Sequence, residues 1–453
     1  MMTYLEAVEV VKEIEKKYDV MSVRYHGVSV WPFLRLYLLD RISRNIEIKA
    51  SGSVIRIAIR SLFSYNPFVI FKKHNIWLFV GCERRKIIGD KMIHRVSGGI
   101  SVSFDKCLMV EKPDIRIGHY KRKQIEETNI VSESWLLILF HLILFLSKPF
   151  TPKIENESII QQILIEFDLK YDYRHYVRSL NAKRLALRCL LAITRKPELA
   201  IMECPYDSMG YMWAFHQKGI KVLELQHGVA GPSHNAYNAK AYEKRMNPDC
   251  ICVYGSQEYK YFTEEEPQYA PNVYMTGLYM LEKADQYFCN DIFNDLRKNY
   301  QKIIVCSGQQ DFEDVFASFI DQIACVHQQL FFIYIPRRSD AILHFTSTNI
   351  NIARDVNIYQ YLKWADLHMT ISSTTCLEAQ YYKKPTIFYD YNKRASTYYG
   401  NQLLNRNGAY YIGTIEDFDV VYNEITRSDF LYLEVFAHNH VDRIQKVISE
   451  YIR

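Results

Sequence analysis

Two short constellations in this chain carry residue types that can do chemistry together. The first is Gln226-His227-Gly228, at the end of an apolar run over 221–225 that reads as a strand. An imidazole at a strand end is suited to accept a proton near neutral pH. Gly228 would permit a turn that a side chain obstructs and let a ligand approach the main chain. The plainer reading is that His227 only hydrogen-bonds a neighbouring loop. The second is Ser372-Ser373-Thr374-Thr375, after a strand over 367–371 and before a helix that holds Glu378. Hydroxyl residues are good helix caps, and four in a row also offer donors where the helix dipole favours an anion. A diphosphate or nucleoside monophosphate leaving group suits that place, and Glu378 could accept a hydrogen bond from a ribose or sugar hydroxyl.

Lesser candidates flank these. The loop 230–238 is small, polar and long, as binding loops on a rigid sheet tend to be; it holds His234, a second candidate base, and Tyr237. Ser307-Gly308 repeats the strand-then-glycine theme, where backbone amides could approach donor phosphates. Arg337 and Arg338 follow the run 330–335 and could pair with phosphate in bidentate fashion, although solvation alone explains at least one of them.

The elements that must position these residues alternate. Apolar runs at 75–81, 107–110, 198–203, 221–225, 250–254, 273–276, 302–306, 330–335, 367–371 and 386–389 read as strands. Helical patterns separate many of them, which indicates β-α-β units and parallel sheets. The expected fold is α/β, with two Rossmann-like domains facing a cleft and extra helices in the first 70 residues. The expected domains are 1–280, on the acceptor side, 281–435, and a helix within 436–453 that crosses back. In open parallel sheets ligands bind outside the carboxyl ends of the strands, and both constellations are at carboxyl ends.

Bulk numbers agree with such a molecule. At 453 residues, 49% hydrophobic and 24% charged, the chain is globular and too long for one ordinary core. Its net charge of +5, mostly spread out with clusters at 121–123 and 174–195, is too small to argue for nucleic acid, and none is expected as a partner. The ten cysteines form no Cys-x-x-Cys pair. Cys250 and Cys252 share a strand face and read as buried rather than metal-binding. No secretory leader is read at the start, where a charged amphipathic helix begins, so the expected compartment is a reducing cytoplasm. The apolar run 135–146 falls short of the roughly 20 residues that span a bilayer. It reads as a buried helix, with a helix lying in a membrane surface, helped by Lys148 and Lys153, as the alternative.

The chain resembles bacterial GT-B glycosyltransferases that build capsule and lipopolysaccharide. The motifs that carry this are Gln226-His227-Gly228 with His234 and Tyr237, Trp364-Ala365-Asp366 through Ser372-Ser373-Thr374, Glu378-Ala379, and Lys384-Pro385-Thr386. Trp31-Pro32-Phe33-Leu34-Arg35 and Arg84-Arg85 belong with them. The resemblance implies a nucleotide-activated sugar donor held mainly by the C-terminal domain, with Ser372 and Ser373 on its phosphate. It implies a lipid-linked glycan acceptor at the N-terminal domain, and an enzyme with no cofactor or metal, peripheral on the inner face of the cytoplasmic membrane. One departure is Ile335-Pro336, where sialyl- and Kdo-transferases of this fold carry His-Pro; Arg337 is the candidate substitute. Transfer of a polyol phosphate from a CDP-linked donor, sugar-nucleotide epimerisation and a non-catalytic capsule-assembly scaffold are the alternative functions.

Overall fold

The computed structural model describes residues 4–44, 52–228, 230–231, 234–285, 291–338, 340–399, 408–432 and 434–452. Pro232 and Ser233 of the expected binding loop, and Val229 just before it, lie outside these. The chain divides into two compact units: Met1–Arg85 with Met92–Gly277 and Asn439–Arg453, and Lys86–Lys91 with Leu278–His438.

Unit one is built on seven parallel strands: β1 (Ile76–Gly81), β2 (Cys107–Lys112), β3 (Ile130–Ser132), β4 (Leu199–Met202), β5 (Lys221–Leu225), β6 (Cys250–Val253) and β7 (Val273–Met275). Their spatial order is β7-β6-β5-β4-β1-β2-β3, so the direction of winding reverses between β1 and β4. Cys250 and Cys252 are buried in β6. Helices cover the sheet. Two of them meet closely at Gly210 of the helix Met209–His216, where an added Cβ would lie 2.7 Å from the carbonyl of Leu180 in the helix Tyr173–Ile193. The expected C-terminal helix is His440–Tyr451. It is fixed to unit one by hydrogen bonds from His440 Nδ1 to the Thr276 carbonyl (2.8 Å) and from Tyr274 to Glu450 (2.8 Å).

Unit two has six parallel strands: β8 (Lys302–Ser307), β9 (Leu330–Ile335), β10 (Ile350–Ile352), β11 (Leu367–Thr370), β12 (Thr386–Tyr389) and β13 (Ala409–Ile412), in the order β10-β9-β8-β11-β12-β13. The reversal here falls between β8 and β11. Side chains alternate across the sheet: Ile304, Cys306 and Phe332 join one buried cluster, and Ile303, Val305 and Phe331 another. Burial on both faces is why these strands read as unbroken apolar runs.

Three details depart from the sequence-based expectation. Residues 86–91 cluster with unit two although they lie inside the expected first domain, and Asn357 Nδ2 holds the Ile87 carbonyl at 2.9 Å. The first 70 residues are not wholly helical, since Arg24–Tyr25 pairs with Val28–Ser29 as a hairpin. The run 135–146 is the helix Ser134–Leu146, of which Leu136 and Phe140 are buried while Trp135, Leu142, Phe145 and Leu146 are exposed. Among the described residues no helix is long and apolar enough to cross a membrane.

Candidate functional site

In unit one, β5 ends in the expected turn. Gln226 is buried and ties the turn down: its Nε2 donates to the Gly228 carbonyl (2.8 Å) and to Glu258 (3.1 Å), and its Oε1 accepts from Tyr254 N (2.7 Å). A Cβ at Gly228 would meet no atom within 4 Å. Among the described residues nothing there obstructs a side chain, contrary to the steric reason expected.

His227 Nε2 lies 3.0 Å from the Tyr206 hydroxyl, and its carbonyl accepts from Arg95 at 3.3 Å. Nδ1 is buried without a hydrogen-bond partner among the described residues. Burial, and then the charges of Arg84 and neighbouring His234 and Arg95, lower its pKa well below 6.5. The imidazole is neutral near pH 7 and so able to accept a proton. His234 is pushed down to about 4 by burial; its Nδ1 accepts from Ala236 N (3.3 Å), and its ring packs on Tyr206 and Tyr237. Tyr237 departs from its expected place beside an acceptor. It is buried and gives its hydroxyl to Glu224 at 2.6 Å. Glu224 also accepts from Tyr269, and burial raises its pKa to about 8.

The sequence reading missed a cluster at the carboxyl ends of β1 and β4, the reversal point of this sheet. There the buried Glu203 faces His94 Nδ1 at 3.0 Å and Arg84 Nε at 3.5 Å. His94 Nε2 also meets the Gly81 carbonyl (3.0 Å), and Ser97 Oγ meets His94 Nδ1 (3.1 Å). Burial disfavours the Glu203 carboxylate, but His94 and Arg84 outweigh it and hold the pKa below the ordinary range. Arg84 is the one member that a sequence motif contained.

In unit two the carboxyl ends of β8 and β11 flank the reversal point, and there the expected donor-side residues gather. Ser307 Oγ lies 2.8 Å from both His368 Nε2 and Thr375 Oγ1. His368 is buried between β8 and β12, meets Thr386 Oγ1 at 3.2 Å, and is pushed down to about 3. Ser372 donates through N and Oγ to Gln309 Oε1 (3.1 and 3.0 Å), and its Oγ accepts from Arg394 Nε (3.1 Å). Ser373 Oγ accepts from Thr375 N at 3.4 Å, a local turn at the start of Thr375–Tyr381. Thr374 precedes that helix and is half-buried.

Two expected contacts meet protein groups instead. The space over Gly308 is filled by Glu313, whose Oε1 would lie 1.9 Å from an added Cβ. Glu313 also accepts from Tyr334 (3.0 Å) and from Arg337 N (3.2 Å), and burial raises its pKa. Glu378 is buried in the unit's interior, 3.4 Å from the Tyr359 hydroxyl, rather than at a surface where a ribose could reach it. The Arg337 side chain is exposed, and Arg338 is paired with Asp340.

Cys82, Glu111 and His119 are near enough to share a metal ion. The two oxygens of Glu111 are already engaged by Arg85, Tyr65 and His119, and the second nitrogen of His119 meets Ser132. Burial would raise the Glu111 pKa, yet the His119 hydrogen bond and Arg85 hold it at about 2. Burial pushes the Cys82 thiol well up, so it keeps its proton. The group is a satisfied buried network rather than an open ligand set.

No protein-family model matches the chain, and no curated protein matches it. Among solved structures it is similar to the glycosyltransferase of kitacinnamycin, with a TM-score of 0.52 and 10% identity over 84% of this chain and 100% of that one. It is similar to the calicheamicin glycosyltransferase CalG4, with a TM-score of 0.51 and 11% identity over 84% of this chain and 98% of that one. The UDP-GlcNAc 2-epimerase of Methanocaldococcus jannaschii gives a TM-score of 0.48 at 10% identity, over 83% and 99% of the two chains. The likeness is one of fold: two Rossmann-like units in one chain, as in GT-B glycosyltransferases.

Proposed function

We propose that this protein transfers a sugar from a nucleotide-activated donor to a hydroxyl of a growing surface polysaccharide, of capsule or O-antigen type, on a lipid-linked acceptor. The observation that carries this reading is the position of Ser307, Ser372 and Ser373. They stand at the carboxyl ends of β8 and β11, either side of the winding reversal of unit two, where ligands of open parallel sheets bind. The fold shared with two glycosyltransferases supports it. In the reaction the acceptor oxygen attacks the anomeric carbon, and the nucleotide leaves with the bonding electron pair. Hydroxyl and amide donors near Ser373 stabilise the charge that develops on phosphate, and such stabilisation usually accelerates a reaction more than proton transfer does. The neutral imidazole of His227 takes the acceptor's proton.

The test is protection against heat by CMP, CDP, UDP, GDP and dTDP, on the native chain and on Ser373→Ala. A nucleotide at about 100 times its dissociation constant adds about 2.7 kcal/mol. One clear hit that the substitution abolishes supports the reading; no hit with any nucleotide overturns it.

Glu313 favours a second reading, a capsule-assembly scaffold without a donor site. Its side chain fills the space over Gly308 where a donor phosphate was expected. Glu313→Ala, which empties that space, separates the two: nucleotide protection that appears or strengthens in the variant points to a donor site, and continued absence points to the scaffold.

A further inference from the structure

Helix Gly52–Ser61 packs against helix Ser134–Leu146 in unit one. Trp135 Nε1 donates to the Leu62 carbonyl at 3.0 Å, and Phe63 meets the Trp135 ring edge-on at 5.5 Å. The pair leaves a broad apolar face in solvent. Ile59 is 57% exposed, Phe63 72%, Phe145 63% and Leu146 59%, with Leu142 between them. Leu142, Phe145 and Leu146 follow Trp135 at seven, ten and eleven residues, so they form one helical stripe. Phe68 and Phe150 extend it, each 72% exposed.

The charge around this face is mostly positive. From Ile48 to Cys82, and again from Ser134 to Ile154, the sequence holds no Asp or Glu. The exposed ionic side chains here are Arg56, Arg60, Lys72, Lys73, Lys148 and Lys153. Lys148 Nζ sits 5.2 Å from the centre of the Phe145 ring, joining the cationic rim to the apolar stripe. Beside Phe150 opens a cavity of about 570 Å³ lined by Lys153 and Arg178 and by one acid, Glu155; the buried Nε of Arg178 has no hydrogen-bond partner among the described residues.

We infer that this face docks on an anionic phospholipid surface. Its exposed rings and aliphatic chains enter the acyl boundary, and its six cations meet the phosphates. A 13-residue helix rises only about 20 Å, against a hydrocarbon core of roughly 30 Å, so it lies in the plane of the surface. The rim's excess of cations, six against Glu155 among the described residues, selects this occupant over a second copy of the chain, which would bring its own cations against it. Of the apolar positions first read from the sequence, Leu139 packs against the core and Leu142 is exposed, so only the latter belongs to the face. The inference does not rest on the proposed transfer reaction, and nucleotide protection can fail while docking holds.

The experiment is sedimentation of the full chain with vesicles of phosphatidylcholine alone or of equal parts phosphatidylcholine and phosphatidylglycerol. Binding is expected to the mixed vesicles only, and added salt should weaken it. Two double variants of exposed positions, Phe145→Ser with Leu146→Ser and Arg56→Gln with Arg60→Gln, should each weaken it with an unchanged melting temperature. The arginine pair should cost about fivefold per charge. Binding to neither vesicle, or equally to both, overturns the inference. So does a dimer, seen by sedimentation velocity, that the same substitutions dissociate.

Discussion

At the scale of single residues, His227 is set apart by the direction in which its surroundings push it. Enclosure and then Arg84 and Arg95 disfavour its charged form, so the imidazole stays neutral across the physiological range. A base of this kind should leave its mark on transferase activity. The rate should hold steady as pH falls through 6.5 and decline only well below it, because the base form persists until then. His227→Ala should lower turnover by about 10²–10⁴-fold and leave nucleotide protection intact. A pH–rate profile with its acid midpoint at 6.5, or a variant with native turnover, would show that His227 serves only its hydrogen bond with Tyr206. His227 was legible in the sequence because a glycine follows it at a strand end. Glu203 and His94 were not, since His94 stands 13 residues beyond Gly81, and only the folded chain brings it to the strand ends at Gly81 and Glu203.

At the scale of elements, two residues that carry the family resemblance, Asp366 and Arg35, hold the scaffold together with Asp249, which lies outside those motifs. Asp366 accepts from Ile303 N at 2.9 Å and so pins the start of β8 beside β11. Asp249 does the same for Val222 N of β5 at the start of β6. Arg35 has the longest reach. It is buried in an N-terminal helix, where Nε pairs with Glu15 (2.8 Å). Its Nη1 holds the Asn235 carbonyl and its Nη2 holds Asn238, so it clamps the loop that follows His227. Arg35→Ala leaves Glu15 buried without its charge partner and releases that loop. The expected loss is about 3–5 kcal/mol, read from the urea midpoint at constant slope; a loss under about 1 kcal/mol would mean that Glu15 is resolvated or neutralised. The sequence made the inner strands legible because burial on both faces demands continuous apolar runs. The strands it concealed, β3, β10 and β13, are all at sheet edges and only three or four residues long. Hydrogen-bonded on one side only, they carry too short a pattern to stand out.

For the whole molecule, the enclosed titratable groups set a window of stability in pH. His234 and His440 are lowered to about 4, His368 to about 3, and His227 well below 6.5, burial being the first cause in each. The unfolded chain protonates these histidines near 6.5. Their contribution is therefore complete above that pH and shrinks as pH falls toward the folded values. Glu224, raised to about 8, and Glu258, raised to about 7, act in the opposite sense. Their neutral carboxyls are fully favourable below 4.5, and that advantage is lost as pH rises through 7 and 8. Each group shifts stability by about 1.4 kcal/mol per pH unit within its range. Between pH 4.5 and 6.5 the four histidines outnumber the two carboxyls. A chain that unfolds as one should then lose stability as pH falls through this range. Unit two holds only His368 of this set, so its share is a single group. Above 6.5 only the carboxyls remain, and the slope reverses more gently. The melting temperature should be highest near pH 6.5, fall steeply by pH 5, and fall slightly toward pH 8. Glu224→Gln, which cannot ionise, should flatten the alkaline side and steepen the fall between pH 6.5 and 4.5, where Glu224 opposes the histidines. A maximum at pH 8 or above would mean that Glu224 and Glu258 are ionised in the folded protein, and that the Tyr237 and Tyr269 hydroxyls stabilise a buried carboxylate rather than a neutral acid.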